Sequence, residues 1–248
     1  MFLFQQLPPT RYDLRFSIAA IPVSVHPSFW LIALLFGASG DILLLPIWVL
    51  VVFVSILIHE LGHALAFRRY GQRSQIVLHF AGGLTIPEPV YWGGGYANVG
   101  LTANQQIFIS LAGPGAGFLF AAVVIGIVVG LGGSVGISRL LGIPLPLSAA
   151  LPFGGVVVNA LIGMLLWVNI FWGLINLAPV YPLDGGSVTR NVLVQTDPID
   201  GIRKSLWISV IAGGMVALIG LIFFRSLFIA LLFGLLAFQS YQSLQGRY

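Results

Sequence analysis

The chain has 248 residues, of which 58% are hydrophobic and only 7% are charged, and its net charge is +4. Soluble domains carry about a quarter of charged residues, so this composition excludes an ordinary soluble protein and predicts a bundle of helices in the lipid bilayer. The absence of cysteine excludes disulfides, thiolate metal sites and a cysteine nucleophile. No basic run with interleaved aromatic residues points to nucleic acid, and the excess positive charge is interpreted as membrane orientation.

In chain order, residues 1–16 are predicted to be an exposed leader that lacks the order of a cleavable signal peptide. About six transmembrane helices follow, at residues 27–40, 42–69, 104–132, 153–178, 205–224 and 226–243. The first is short for a crossing, so either residues before Pro27 join it or the bilayer is thinned there. An apolar, proline-rich connector is expected at 133–152, and a polar link at 187–204.

The segment from Tyr70 to Gly100 is glycine-rich and mixed in polarity. Alternation at 75–80 predicts a strand, and Gly82–Gly83 predict a turn. The predicted fold class is therefore an all-α membrane protein with a small β-hairpin or re-entrant loop between the second and third helices.

The domain organisation is predicted to be a single membrane-embedded domain over residues 1–248. Its core would cover residues 20–200, with two additional helices at 205–243. No appended regulatory domain is expected.

Basic residues concentrate on one side of this arrangement, as the positive-inside rule predicts for the cytoplasmic side. With the N-terminus inside, the cytoplasmic set is Arg11, Arg15, Arg68, Arg69, Arg73, Arg190, Arg203, Lys204 and Arg247, and the opposite set is Arg139 and Arg225. If the first span does not cross, Arg11 and Arg15 change sides and the orientation of the remaining helices is unchanged.

The second predicted span contains His59-Glu60-Leu61-Gly62-His63. Histidines four residues apart share one helical face and are able to bind one zinc ion, while Glu60 is near enough to reach a metal-bound water as a general base. The alternative is a buried His–Glu pair that ties helices together. An ionised carboxylate inside the bilayer costs about 2.5–3.5 kcal/mol, which favours function over structure here.

A third metal ligand is predicted at Asp184, within the segment NLAPVYPLDGG at 176–186. The fourth span runs in the same direction as the second, and Pro179 and Pro182 break regular hydrogen bonding just before Asp184. Non-helical backbone at membrane depth is tolerated only where it lines a cavity or is buried in protein. The alternative is a turn that simply ends the helix.

These motifs resemble those of the site-2 protease family of intramembrane zinc metalloproteases, which are M50-like peptidases. The likeness rests on residues 59–63 and on a second set that comprises Asn176, Pro179, Pro182, Asp184, Gly185, Gly186 and Arg190. It covers most of residues 20–200. The resemblance implies Zn²⁺ held by His59, His63 and Asp184, with Glu60 as catalytic base and Asn176 near the substrate.

One departure from the family pattern is Gly117, where relatives commonly carry Asn, and it places a minor polar contact in doubt. We expect the strand region that includes Gly82 and Gly83 to hold an extended substrate by backbone pairing. Asn159 and Asn169 of the fourth span are expected either to line a water path to zinc or to hydrogen-bond between helices.

The predicted function is hydrolysis of peptide bonds within or near transmembrane segments, with Glu60 activating water on the metal. The implied partners are a transmembrane protein substrate, the lipid bilayer and an unidentified regulatory protein. The predicted location is a prokaryotic inner membrane with the active site towards the cytoplasm, and an organelle membrane stays open. The rivals are a metal transporter and an inactive relative that binds membrane proteins.

Overall fold

A computed structural model describes residues 8–37, 41–88, 90–92, 95–97, 100–140 and 142–246. The helices are α1 (Pro27–Gly37), α2 (Leu45–Arg69), α3 (Ala103–Gly130), α4 (Gly155–Asn176), α5 (Asp184–Thr196), α6 (Gly201–Ile222) and α7 (Leu227–Leu244). The strands are β1 (Leu14–Ile18), β2 (Ile21–Val25), β3 (Ser74–His79), β4 (Gly82–Pro87), β5 (Val90–Trp92), β6 (Gly95–Ala97), β7 (Ser134–Leu140) and β8 (Ile143–Ala150). The start of the predicted leader at 1–7, the end of the first predicted span at 38–40, and Arg247 lie outside the described residues.

Five helices of the described chain are long and apolar enough to cross a membrane. They are α3, α4, α6, α7 and α2, the last extended by a 3₁₀ turn at Ile42–Leu44. Their bounds fall within a few residues of the predicted spans. The chain is therefore a multi-pass integral membrane protein, and the predicted count of six spans is not confirmed.

The first predicted span contains only the 11-residue helix α1. At 1.5 Å per residue, α1 is about 16 Å long, roughly half the hydrocarbon thickness. The chain before it is strand β2, which leads into α1 through His26. The Trp48 indole N–H donates to the Ala33 carbonyl oxygen at 3.1 Å, and the Arg68 guanidinium donates to the Ala19 carbonyl oxygen at 2.8 Å. Strand β2 and helix α1 together thus run antiparallel to α2, from its last turn back to its first.

The described residues also form three small sheets. The hairpin predicted between the second and third helices is present as β3–β4, whereas the pairs β1–β2 and β7–β8 were not predicted. A four-stranded sheet has the order β1-β2-β3-β4, with β2 parallel to β3 and the other pairs antiparallel. The predicted leader ends in β1, which pairs with β2 along its whole length. The turn predicted at Gly82–Gly83 instead lies at Phe80–Ala81, and the two glycines open β4.

This sheet packs on α2 through one apolar face. The shared core consists of Ile21, Val23, Val25, Phe29, Ile56, Leu57, Ala64, Ile76 and Leu78. Alternate residues of β2 and β3 supply this face, because successive strand side chains point to opposite sides. The packing holds the β3–β4 hairpin against the half of α2 that carries the histidines.

Two predicted connectors are regular elements. In the predicted apolar connector, Ser134–Leu140 and Ile143–Ala150 form the antiparallel pair β7–β8, and Ala149 joins an apolar core with residues of α3 and α4. Most of the predicted polar link lies in helix α5. The helix ends at Asp197, whose backbone N–H donates to the Leu193 carbonyl oxygen at 2.8 Å.

The described chain divides into two compact units. One holds residues of 3–98 and 112–174, which include α2, the four-stranded sheet and the β7–β8 hairpin. The other holds residues of 99–111 and 175–248, in which α5 packs on α6 and α6 packs on α7. The α6–α7 contact is close because Gly213 has no side chain, and a Cβ there would stand 3.1 Å from Ala237 Cβ.

Candidate metal centre

His59 and His63 present their ring nitrogens to each other on one face of α2. The two Nε2 atoms are 3.2 Å apart, and both side chains are buried. Two nitrogens bound at 2.0–2.1 Å to a tetrahedral zinc ion stand about 3.3–3.4 Å apart. The spacing of the two imidazoles therefore fits a shared zinc ion.

Helix α3 closes over this face through glycine contacts. A Cβ at Gly62 would overlap the Ala112 carbonyl group, so the helix backbones approach closely at that point. One residue further along α3, a Cβ at Gly113 would overlap the His63 ring and stand 2.8 Å from His59 Nε2. The space between the two Nε2 atoms thus stays open only because residue 113 has no side chain, as a bound ion requires.

The Glu60 carboxylate lies beside the histidines and against strand β4. Ligand atoms of His59, Glu60 and His63 all lie within 4.8 Å of one another. The Thr85 hydroxyl is 2.7 Å from Glu60 Oε2, to which it donates, and 3.1 Å from the Glu60 backbone oxygen. A Cβ at Gly83 would stand 2.5 Å from Glu60 Oε1. Strand β4 therefore fixes the direction of the carboxylate from one side.

Gly82 and Gly83, predicted to contact substrate, have separate structural reasons to be glycine. Gly82 has a φ of +116°, which side-chain-bearing residues rarely adopt. Gly83 makes room for Glu60. A role of either residue in binding substrate stays a prediction.

The two asparagines of α4 differ in what they bind. The Asn159 side chain accepts from the Leu151 backbone N–H at 2.8 Å and donates to the Leu151 carbonyl oxygen at 3.2 Å, so it ties down the chain before α4. The Asn169 amide donates to Ser55 Oγ of α2 at 2.9 Å. The prediction of an interhelical hydrogen bond is confirmed for Asn169.

Two further histidines lie in the four-stranded sheet and its exit. His79 is buried at the end of β3, where its Nδ1 accepts from the Ala81 N–H at 3.2 Å. Burial lowers the pKa of His79 below its usual value, and the nearby His26 lowers this pKa further. His26 shares a 2.7 Å hydrogen bond between its Nδ1 and Ser28 Oγ. Neither histidine belongs to the group formed by His59, Glu60 and His63.

Asp184 and Asn176 belong to the second compact unit. Asn176 is the last residue of α4 and is buried, and Asp184 is the first residue of α5. Backbone of the preceding loop packs directly on Gly185 and Gly186, where a Cβ would overlap Leu177 and Val180. The loop is also tied to α6, because the Tyr181 N–H donates to Ser209 Oγ at 3.0 Å. The roles of Asp184 as metal ligand and Asn176 as substrate contact stay predictions.

Sequence reasoning missed three residues that shape this centre: Thr85, Gly113 and Ser55. Thr85 had a usable signal, because strand alternation places it on the same face as Gly83. Nothing in the sequence connects Gly113 to the histidines. Ser55 lies one turn before His59 on α2, which places it on the same face.

The sequence model of peptidase family M50 matches residues 47–218, which include the histidine helix and Asp184. The chain belongs to this family. The predicted family is therefore confirmed, and the metal centre lies where the family model matches.

Several relatives have names that describe them as zinc metalloproteases. One from Methanocaldococcus jannaschii is 28% identical over 217 residues, which cover 86% of this chain and 54% of the relative. Rip3 of Mycobacterium tuberculosis, which its name classes provisionally as a zinc metalloprotease, is 30% identical over 77% of this chain and 38% of the relative. The chain spans about half or less of the length of these curated relatives. The solved site-2 protease from Methanocaldococcus jannaschii matches the fold with a TM-score of 0.55 over 94% of this chain and 95% of that chain, at 24% identity.

Proposed function

We propose that the chain is an intramembrane zinc metalloprotease that hydrolyses peptide bonds within or near transmembrane segments of other membrane proteins. The observation that carries this proposal is the position of the Glu60 carboxylate. It lies beside two imidazoles spaced for one zinc ion, and Thr85 holds it from the opposite side. This arrangement provides a metal site that is able to activate water and, next to it, a carboxylate that is able to accept the water's proton.

Zinc held by His59, His63 and the proposed third ligand Asp184 would supply Lewis-acid activation of water and of the peptide carbonyl. Glu60 takes a proton from the attacking water and later delivers it to the leaving amine nitrogen. The Thr85 hydroxyl donates to Oε2, which leaves Oε1 as the oxygen that accepts this proton. Asn176 is proposed to bind the substrate or the reaction intermediate.

Strand β4 is proposed to bind the substrate as an added strand. A helix hides its carbonyl groups, so a transmembrane segment must become extended before it is cut. Within the described residues β4 pairs only with β3, whereas β3 lies between β2 and β4. The two edge strands of this sheet are thus β1 and β4, and β4 is the edge that carries Gly82, Gly83 and Thr85 and contacts Glu60.

The active site is proposed to open towards the cytoplasm. Arg68 and Arg69 end α2, and His63 lies six residues before Arg69, or about 9 Å along the helix axis. The positive-inside rule assigns this basic end to the cytoplasmic side. A transmembrane protein as substrate, six membrane spans and a regulatory partner belong to this proposal as expectations.

The test is cleavage of a single-span membrane protein by the full chain in detergent, comparing wild type with Glu60→Gln. Loss of the general base is expected to lower the cleavage rate by about 10²–10⁴-fold while bound zinc is unchanged. Glu88→Gln is the matched control, because Glu88 follows β4 and bonds through its backbone to Arg73.

Cleavage by Glu60→Gln within tenfold of wild type would contradict the proposal. A zinc flux in vesicles that persists in Glu60→Gln, without any cleavage by wild type, would favour the transporter instead.

A further inference from the structure

The turn between β3 and β4 is held by two side chains that lie outside it. The turn consists of Phe80 and Ala81. The Phe80 N–H donates to Oγ of Ser28, in the first turn of α1, at 3.2 Å, and the Ala81 N–H donates to His79 Nδ1 at 3.2 Å. The favoured two-residue hairpin turns need a positive φ within the turn, and neither Phe80 nor Ala81 has one. Side-chain acceptors therefore support a turn that is not of the favoured types.

His26 fixes the direction of the Ser28 side chain. The Ser28 backbone N–H donates to His26 Nδ1 at 3.1 Å, so this nitrogen carries no hydrogen. Ser28 Oγ lies 2.7 Å from the same nitrogen, and the hydroxyl must therefore be the donor in this contact. Its oxygen is then free to accept from Phe80. The His26 N–H donates to the Leu78 carbonyl oxygen at 2.8 Å, which joins this segment to β3 next to the turn.

His79 makes its hydrogen bond to the turn and no other within the described residues. Its side chain is buried, and its Nε2 has no hydrogen-bond partner there. A buried polar group without a partner costs stability, and an apolar side chain would avoid this cost. Packing alone therefore does not account for a histidine at this position, whereas an acceptor for the Ala81 N–H does.

The turn determines which residues of β4 face Glu60. In the observed register, Gly83 leaves room for the Glu60 side chain and Thr85 donates to its carboxylate. A slip of one residue would turn every side chain of β4 to the other face. Leu84 would then face Glu60 at a place where even a Cβ overlaps that side chain. Glycine-rich strands specify their register weakly, and β4 begins with Gly82 and Gly83, so its register depends on the turn.

We propose that His79 and Ser28 set the register of β4 and are thereby positioning residues for Glu60 and for the edge that binds substrate. His26 orients Ser28 for this task. The effect on cleavage rests on the proposed function, whereas the register is a property of the chain that is measured without it.

The alternative is that these hydrogen bonds only add stability to the hairpin. That alternative predicts a lower Tm in variants that lack them. It also predicts the native register and wild-type cleavage by the folded protein at temperatures well below Tm.

A cross-link measures the register directly, because the chain contains no cysteine. Val77 and Leu84 are directly opposite each other in β3 and β4. With Val77→Cys and Leu84→Cys introduced together, a short bifunctional thiol reagent is expected to join the two strands of the full chain in detergent. Adding His79→Leu and Ser28→Ala is expected to abolish most of this cross-link, because a slip of one residue places the two thiols on opposite faces of the sheet.

Cleavage of a single-span membrane protein tests the consequence with two matched pairs of variants. His79→Leu and Ser28→Ala remove the acceptors and are expected to lower kcat/KM by about 10–100-fold with zinc retained, because Glu60 loses its fixed position. His79→Asn and Ser28→Thr keep an oxygen acceptor and are expected to cleave at close to the wild-type rate, since an asparagine accepts from the N–H two residues on. Ser24→Ala is the control, because this β2 hydroxyl bonds to Asp13 and not to the turn.

A native cross-link in the chain that lacks both acceptors would overturn the proposal, and so would wild-type cleavage after the cross-link is lost. Equal losses of cleavage in His79→Leu and His79→Asn, and in Ser28→Ala and Ser28→Thr, would also overturn it, because the acceptor would then be irrelevant. If His79→Leu does not fold, the Ser28 pair answers the question. A wild-type chain that forms the cross-link but cleaves nothing would instead contradict the proposed function.

Discussion

Glycines enclose both regions that carry the predicted metal ligands, but they make room for different groups. Around the histidine helix, Gly83 leaves room for the Glu60 side chain, and Gly113 leaves room for the rings of His59 and His63. At the start of α5, Gly185 and Gly186 leave room for the backbone of the loop before Asp184. The first region leaves space for titratable side chains, and the second fixes the course of the backbone.

This difference determines what an added methyl group should do in each place. A methyl group that displaces a carboxylate or an imidazole changes chemistry and leaves the fold largely intact, because those side chains rotate. A methyl group that meets backbone forces the chain itself to move, which costs stability. Three glycine substitutions therefore test the comparison.

The largest effect is expected from Gly113→Ala. Its Cβ would overlap the His63 ring and approach His59 Nε2, so the two nitrogens are driven out of the geometry that suits one zinc ion. We expect loss of stoichiometric zinc, measured by elemental analysis of the purified protein, and loss of cleavage. Gly115→Ala, on the same helix with nothing within 4 Å, should keep both. Full zinc occupancy in Gly113→Ala would show that the space between the imidazoles is not the metal position.

Gly83→Ala is expected to separate catalysis from metal binding. The three atoms nearest to its Cβ all belong to the Glu60 side chain, so the added methyl group displaces this carboxylate first. The cleavage rate should fall by about 100-fold, the cost of misplacing a catalytic group by roughly 1 Å, while zinc content stays at the wild-type level. A parallel loss of zinc would mean that Glu60 itself supports the metal, and an unchanged rate would remove Glu60 from the mechanism.

The histidine helix could be predicted from sequence because its information is local. Histidines four apart on an apolar helix share a face whatever packs around them, and hydropathy alone gave the bounds of α2 to within a few residues. The family motif likewise indicates Asp184 as a metal ligand, a role that stays a prediction. The contacts of Gly113, Thr85 and Asn169 come from chain segments far from His59 in sequence, so no pattern within one segment contains them.

The errors in the predicted fold have different causes in β8, β1 and α1. Strand β8 carries Pro144 and Pro146, which usually argue against a strand, yet a two-stranded hairpin has edges that tolerate proline. Residues 14–18 alternate strictly between apolar and polar side chains, but most of them lie in the segment that was predicted as an exposed leader, so β1 and its pairing with β2 were missed. Helix α1 was predicted as a membrane span from hydropathy. Hydropathy does not show that the segment before it is strand β2, or that β2 and α1 together lie along α2.

Gly186→Ala is expected to have the smallest effect, and on stability rather than chemistry. Its Cβ would meet the Val180 carbonyl group, with the oxygen 2.6 Å away, so either the loop or the first turn of α5 must shift. Overpacking of this kind costs about 1–3 kcal/mol, which corresponds to a decrease in Tm of roughly 2–12 °C. The measurement is thermal unfolding of chelator-treated protein, so that a change in zinc affinity does not contribute. Gly214→Ala on α6 meets nothing within 4 Å and replaces a poor helix former, so its Tm should be unchanged or higher. An unaltered Tm in Gly186→Ala would mean that the loop before Asp184 yields easily, and Asp184 would then lack the fixed position that a structural glycine contact implies.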